Sequence, residues 1–359
     1  MEQLDQFSTL LSLIERPAFC THNGTVVYAN PAAQKRQVAV GTDISAFLSG
    51  DEPVTEPPQG GYLYLPLTIF GITSGASVLP MEDKLLFVLE DDDTDARLQA
   101  LALASQQLRS PLFGVMTSVE QLSVQKDTSL DPAFQAHVTH LQKRLFQLLR
   151  LVNNMSDTYR FNLPGNTQTE TVNLTSFFYQ VLETAKHLLE DADYTLCFTV
   201  PRQAVFCLAN REVLERAIYN LISNAVKFSP KGSTITAALT KQGNTLHFTV
   251  KDSGEGILKN IMGDLFSRYT RMPGIEDGRF GLGLGLTLVR TAALIHGGTL
   301  LLEQPEGQGV KIDMTIPIRQ CAQNTVRTQI LGVDYTGERD HGLLELSDVL
   351  PSTLFDETP

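Results

Sequence analysis

Between Leu98 and Tyr159 the apolar residues repeat on a pattern that leaves one kind of secondary structure open. Leu98, Leu101, Ser105, Leu108, Leu112, Val115, Val119 and Leu122 fall at alternating steps of three and four. After a loop at roughly 124–131, Pro132 marks a helix start. Phe134, Val138, Leu141, Leu145, Leu148, Val152, Met155 and Tyr159 then repeat the alternation. A strand would need a period of two, whereas these steps set each group on one stripe of an α-helix. Two such stripes joined by a short loop predict an antiparallel helical hairpin. One hairpin can bury only one seam, so two are expected to pair as a four-helix bundle, making a homodimer through residues 94–160.

The segments on either side have other patterns. Residues 1–90 read as a small α+β unit, with a helical run from Phe7 to Ile14. Ala18–Thr21 and Thr25–Asn30 read as strands around a tight His22-Asn23-Gly24 turn, followed by a short helix from Pro31 with Asn30 as its N-cap. Gly61–Phe70, Ser74–Pro80 and Lys84–Leu89 are further strand-like runs, and the Pro-rich segment 51–60 is a loop. The layout, with the stretch G-x-V-x-Y-x-N-x-A from Gly24 to Ala32, resembles a PAS-type sensor domain. The acidic run from Glu90 to Asp95 suits the positive N-terminus of the first hairpin helix. Asn162-Leu163-Pro164-Gly165-Asn166 ends the second helix. A mixed α/β unit follows, with helices over 176–192, 212–228 and 284–296 and strands near 195–200, 204–209, 234–240, 245–251 and 298–317. The expected organisation is therefore multidomain α+β: 1–90 a sensor unit, 91–163 the hairpin, 164–318 a ligand-binding α/β sandwich, and 319–359 a tail in which Ile330–Tyr335 is one more candidate strand.

Composition narrows the partners. A formal net charge of -12 argues against nucleic acid or an anionic membrane surface. Cys20, Cys197, Cys207 and Cys321 form no C-x-x-C pair, which predicts reduced thiols rather than a metal or disulfide site. No run reaches the roughly 18 to 20 apolar residues of a membrane span. The acidic start Met1-Glu2-Gln3-Leu4-Asp5 is unlike a signal peptide, so a cytoplasmic location is expected.

Three clusters between residues 220 and 285 carry the chemistry. In Asn220-Leu221-Ile222-Ser223-Asn224-Ala225-Val226-Lys227-Phe228, Asn220 and Asn224 stand one helical turn apart on one face. Their amide oxygens suit a hard cation such as Mg2+, and Lys227 beside them suits phosphate. Alone, this is equally a polar helix face. Asp252-Ser253-Gly254-Glu255-Gly256 follows a strand. An Asp there can accept from an amino group, and glycines let a flat ring approach the backbone; alone, the run is a turn. Gly281-Leu282-Gly283-Leu284-Gly285-Leu286 opens a helix, where backbone amides favour an anion.

Taken in order and about thirty residues apart, these clusters resemble the ATP-binding domain of sensor histidine kinases and their GHKL relatives. Leu265-Phe266-Ser267-Arg268-Tyr269 is similar to the family's phenylalanine box, residues 257–281 to its lid, and His296-Gly297-Gly298 to the sequence after its last helix. The resemblance implies ATP with Mg2+ as ligands. It makes Asn224 the main metal ligand with Asn220 beside it, sets Lys227 near phosphate and Phe228 against adenine, and puts Asp252 on the adenine amino group. Gly254, Gly256, Gly281, Gly283, Leu284 and Gly285 would shape the pocket.

One departure changes the expected function. Where the family reads His-Glu-Leu-Arg-Thr-Pro-Leu, this chain has Gln106-Gln107-Leu108-Arg109-Ser110-Pro111-Leu112. An amide nitrogen, its lone pair delocalised, cannot replace an imidazole as phosphoacceptor. Gln107 also lacks the carboxylate that would act as general base. The expectation is a histidine-kinase-like signalling protein that binds Mg-ATP but is a pseudokinase at position 106, partnered with a response regulator or a complete histidine kinase. The alternatives are a working phosphotransferase that uses another histidine or acts on a partner in trans, and a GHKL ATPase switch. His137 and His140 are the histidines to consider, expected at the surface of the second hairpin helix; His296 is expected to be structural, and His187 and His247 have no supporting context.

Overall fold

The computed structural model of the chain describes residues 11, 14–48, 57, 61–81, 83–90, 94–124, 132–163, 168–256, 284–304, 309–319 and 341–355. Strands β1 (Ala18–His22) and β2 (Thr25–Ala29) form a hairpin across Asn23 and Gly24. Both turn residues have positive φ, 48° and 76°, the left-handed conformation that a two-residue turn needs to match strand twist. Asn30 caps α1 (Pro31–Lys35), its Oδ1 accepting from Ala33 N at 2.8 Å and Ala18 N at 3.0 Å. Its amide donates to the carbonyls of Ile14 and Arg16, so one buried side chain fastens the incoming chain to helix and strand together. Strands β3 (Tyr62–Ile69), β4 (Ile72–Met81) and β5 (Lys84–Leu89) then run as a meander, and β5 returns to pair with β1. Phe19 stacks on Phe87 at 4.9 Å and meets Phe47 edge-on at 6.2 Å.

Helices α2 (Thr94–Val124) and α3 (Pro132–Arg160) form the expected hairpin, tied by an Arg109 Nη2 to Asn153 Oδ1 hydrogen bond of 2.9 Å. The expected stripes are divided by the packing. Ser105, Leu112, Val119, Leu145, Val152 and Met155 are buried, while Leu108 and Leu148 stay 52% and 48% exposed, with Val115 and Leu141 similarly open. A single hairpin covers one of two adjacent ridges and leaves the other. Phe146 and Leu149, off the expected stripe, are buried because α3 has further neighbours beyond its hairpin partner. Glu90 does not serve the helix start as expected; its carboxylate is turned to Arg290, and residues 91–93 lie outside the described residues.

Strands β6 (Glu170–Asn173) and β8 (Phe206–Ala209) pair as a small antiparallel sheet. Between them lie α4 (Leu174–Glu190), capped by Asn173, and β7 (Thr195–Thr199). Helix α5 (Arg211–Phe228) follows, its Asn210 cap accepting from Val213 N at 3.0 Å. Next come β9 (Thr234–Gln242), β10 (Thr245–Lys251), α6 (Leu284–His296), β11 (Leu300–Glu303) and β12 (Lys311–Pro317). These strands lie in the order β11-β12-β10-β9-β7, antiparallel except for β7 with β9. Helices pack against them, as where Phe178 of α4 meets Phe248 of β10 at 4.9 Å.

Two features lay beyond the sequence reading. Strand β3 pairs with β11, Tyr64 opposite Leu300 and Tyr62 opposite Leu302, so among the described residues ten strands from both regions join in one mixed sheet, β6 and β8 standing apart. The pairing satisfies backbone groups that two open edges would otherwise present. The tail is also not wholly outside the core, because α7 (His341–Glu345) and a 3-10 turn over Ser352–Phe355 bury Leu343, Leu344, Leu346, Leu350 and Phe355. The expected strand at 330–335 lies outside the described residues. No helix among the described residues is long and apolar enough to cross a membrane.

Candidate functional site

Helix α5, the end of β10 and the start of α6 bring the Asn, Asp and Gly clusters together. Asn220 is buried on α5, its Nδ2 donating to the Arg216 carbonyl at 2.8 Å, while Asn224, one turn on, is partly open. Gly285, in the first turn of α6, faces Asn220 so closely that an added Cβ would lie 2.7 Å from its Oδ1. Lys227 is partly buried on the same helix, and Phe228 at its end is exposed. A Cβ on Gly254 would stand 2.5 Å from the Phe228 carbonyl oxygen, so glycine there lets the β10 turn touch the end of α5.

Asp252 leaves β10 with its Oδ1 accepting from Gly254 N at 2.9 Å and Val310 N at 3.0 Å. Burial pushes its carboxyl above the ordinary value, against the pull of those two N–H groups. Gly256 has φ of 81° and lies against the Gln304 side chain. Leu284 is buried at the start of α6. Gly281, Gly283, the phenylalanine-box stretch 265–269 and the expected lid lie outside the described residues.

The donor set suits a nucleotide with a hard cation. Two amide side chains share one helix face, a carboxylate ends a strand, and glycines stand where a Cβ would collide with these same groups. One neighbour was not foreseen. Arg150 of α3 reaches into the site, Nη2 donating to Asn220 Oδ1 at 3.3 Å and Nη1 to Ser223 Oγ at 3.2 Å. Its signal in the sequence was a lone cation within Leu148-Leu149-Arg150-Leu151-Val152.

Away from this face, Gln106 and Gln107 are exposed on α2, beside Ser105, which is buried and donates to the Ala102 carbonyl at 2.7 Å. His137 and His140 are exposed on α3. His296 is buried, its Nδ1 donating to the Ala292 carbonyl at 2.7 Å and its Nε2 accepting from Asn210 N at 3.0 Å. Both contacts require the neutral ring, and burial pushes its pKa down to about 4. His187 pairs with Glu183 and Glu190 on the surface of α4, and His247 with Asp313.

Residues 209–320 match the family described as "Histidine kinase-, DNA gyrase B-, and HSP90-like ATPase". The chain is 28% identical over 270 residues to an uncharacterized sensor-like histidine kinase of Rhizobium meliloti, covering 71% of this chain and 51% of that one. It is 25% identical over 233 residues to histidine kinase P4 of Formosa agariphila, covering 64% of this chain and 17% of that one. Adaptive-response sensory kinase SasA of Crocosphaera subtropica is 28% identical over 227 residues, with 61% and 59% covered. The chain thus spans about half or less of the first two relatives' length. Among solved structures, full-length ShkA in complex with AMPPNP superposes with a TM-score of 0.51 at 23% identity, over 63% of this chain and 47% of that one, a likeness of fold. The chain therefore carries, over residues 209–320, an ATPase domain of the histidine kinase-, DNA gyrase B- and HSP90-like family, and its relatives are sensor histidine kinases.

Proposed function

We propose that the chain is a histidine-kinase-like signalling protein that binds Mg-ATP and does not phosphorylate itself at the usual position. The observation that carries this reading is a contrast between two helices. On α5 the amide pair Asn220 and Asn224 is kept, with Gly285 closely opposed to Asn220. On α2 the outward position beside buried Ser105 holds Gln106, whose amide nitrogen, its lone pair delocalised into the carbonyl, is no nucleophile towards phosphorus. Phosphoryl transfer depends on positioning and charge stabilisation, so a protein can keep nucleotide binding after losing the acceptor. In this reading Asn224 and Asn220 hold Mg2+, Lys227 meets phosphate, and Asp252 and Phe228 meet the base. Gly254, Gly256, Gly281, Gly283, Leu284 and Gly285 shape the pocket.

The rest of the expected organisation belongs to the same proposal. The strand order β2-β1-β5-β4-β3, with α1 between β2 and β3, supports a PAS-like sensor in residues 1–90. The exposed ridge of Leu108, Val115, Leu141 and Leu148 supports a homodimer formed by a second copy of the hairpin. Nucleotide would act as a conformational ligand, shifting the protein as far as it binds two states differently. A response regulator or a complete histidine kinase is the partner this implies, in the cytoplasm.

A second reading is favoured by the exposure of His137 and His140 on α3, where an accessible imidazole could take the phosphoryl group. One experiment separates the two. The full chain is incubated with Mg2+ and γ-labelled ATP, with nucleotide binding measured in the same samples. Bound nucleotide without protein label is the expected result. Acid-labile, base-stable label would overturn it in favour of a phosphohistidine, and His137→Gln and His140→Gln would then locate the acceptor. Absence of nucleotide binding would overturn both.

A further inference from the structure

Arg150 joins three parts of the molecule. It projects from α3 and is 5% exposed, against α5 on one side and the C-terminal segment on the other. Its Nη1 donates to Asp348 Oδ2 at 2.7 Å and its Nε lies 3.5 Å from Glu345 Oε2, while Nη2 reaches Asn220 Oδ1 at 3.3 Å. Glu345 is fully buried and also pairs with Arg216 of α5. Lys227 Nζ stands 4.0 Å from the same Asp348 oxygen. The C-terminal segment thus places two carboxylates over the face that carries the Asn pair and Lys227.

Resting on the nucleotide reading above, we propose that residues 341–355 are an autoinhibitory strap. Its carboxylates hold Arg150 on Asn220 and occupy Lys227, so the closed strap and a bound Mg2+-nucleotide exclude one another. A divalent cation and a guanidinium cannot share one amide oxygen at contact distance, because like charges repel strongly where water is scarce. A polyphosphate in turn competes for the cations that Asp348 engages, as anions of the same sign compete for one basic site.

The segment is built to stay in place until displaced. Leu343, Leu344, Leu346, Leu350 and Phe355 are buried, and Phe355 meets Phe146 of α3 edge-on at 5.1 Å. Gln147 Nε2 donates to the Ser347 carbonyl at 3.3 Å. Asp348, by contrast, keeps 34% of its side chain open to solvent, which gives a competing anion a place to enter.

The test uses the full chain and Asp348→Asn, which preserves side-chain shape and removes the charge. Affinity for AMPPNP with Mg2+ is measured calorimetrically, and amide hydrogen exchange is followed over residues 343–350. If the strap limits the binding-competent population, Asp348→Asn tightens binding by about tenfold. Phe355→Ala, which weakens the anchor away from Asn220, is expected to act in the same direction. Saturating Mg-AMPPNP is expected to speed exchange in the strap of the unaltered chain. Equal or weaker affinity in both variants, with strap exchange unchanged by nucleotide, would overturn the strap and leave the nucleotide reading standing. No nucleotide binding by any of the three proteins would overturn both.

Discussion

Arg216 and Asp157 meet across the junction between the hairpin and α5, the guanidinium Nη2 lying 3.0 Å from the carboxylate Oδ2 with both side chains buried. Burial raises the Asp157 carboxyl above its ordinary value, while Arg216 and Arg160 pull it back. Glu345 completes the cluster on the other side of Arg216. Each charge has an opposite one beside it, so the cluster ties α3, α5 and the C-terminal segment together.

Breaking that match is expensive. Asp157→Ala leaves a buried cation short of one partner, at an expected cost of about 3–5 kcal/mol. Replacing Asp157 and Arg216 together by leucine and methionine is expected to cost less than the sum of the single changes, as coupled sites are non-additive. Urea unfolding of Asp157→Ala, Asp157→Leu, Arg216→Met and the double variant measures both. A loss below about 1 kcal/mol for Asp157→Ala would mean that Glu345 alone balances Arg216.

Gly285→Ala tests the approach of α6 to Asn220. Alanine is the better helix former by up to about 1 kcal/mol, which favours the substitution. The new Cβ would stand 2.7 Å from Asn220 Oδ1 and must push that side chain aside. The expected outcome is a thermal midpoint within a few degrees of the parent and a loss of Mg-AMPPNP affinity of roughly tenfold or more. Unchanged affinity would remove Asn220 from the site.

His296 makes stability fall in mild acid. Its ordinary pKa of 6.5 drops to about 4 in the folded chain, where burial excludes the charged ring. Above pH 6.5 neither state gains a proton at this residue, so its contribution is fully present. As pH falls from 6.5 towards 4 only the unfolded chain takes up the proton, and roughly 3 kcal/mol is lost across that window. His296→Asn, which does not titrate, is expected to be less stable at neutral pH and to show a flatter dependence between those limits. Denaturant midpoints of both proteins across the window provide the check.

The β3–β11 seam is expected to loosen when Arg290 is removed. This cation, buried on α6, pairs with Glu90 and lies 4.4 Å above the Tyr64 ring. Arg290→Met keeps the packing volume and takes the guanidinium away from the Glu90 carboxylate. Because Glu90 retains some contact with solvent, a cost of about 2–3 kcal/mol is expected, below that of a fully buried pair. Faster amide exchange in β3 and β11, with β1 and β2 unaffected, is the signature. Unchanged exchange would show that the ladder alone holds the two regions together.

Local patterns were the legible part. The Asn23-Gly24 turn, the Asn30 cap, the Pro132 start and the span of α6 depend on residues close in sequence, and each stands where its own residue types place it. The positions of Asn220 and Asn224 on one face of α5 and of Asp252 at the end of β10 were legible because spacing on a helix or at a strand end fixes which way a side chain faces. The stripes of the hairpin identified two helices and the ridges that apolar residues occupy. They did not say that Leu112 and Val119 would be buried while Leu108 and Val115 remained open. That division depends on what lies across each ridge.

What the sequence by itself determined is most of the helices and strands up to residue 317, the outward placing of Gln106, and the placing of the Asn pair on one face of α5, because these follow from period, turn chemistry and capping. Tertiary structure alone decided that β3 would meet β11, that Glu90 would turn to Arg290, and that Arg150, Asn220 and Asp348 would converge. Those contacts join residues distant in sequence, and their partners are chosen by edge pairing and by the need of each buried charge for an opposite one. Neither requirement leaves a periodic trace in the chain.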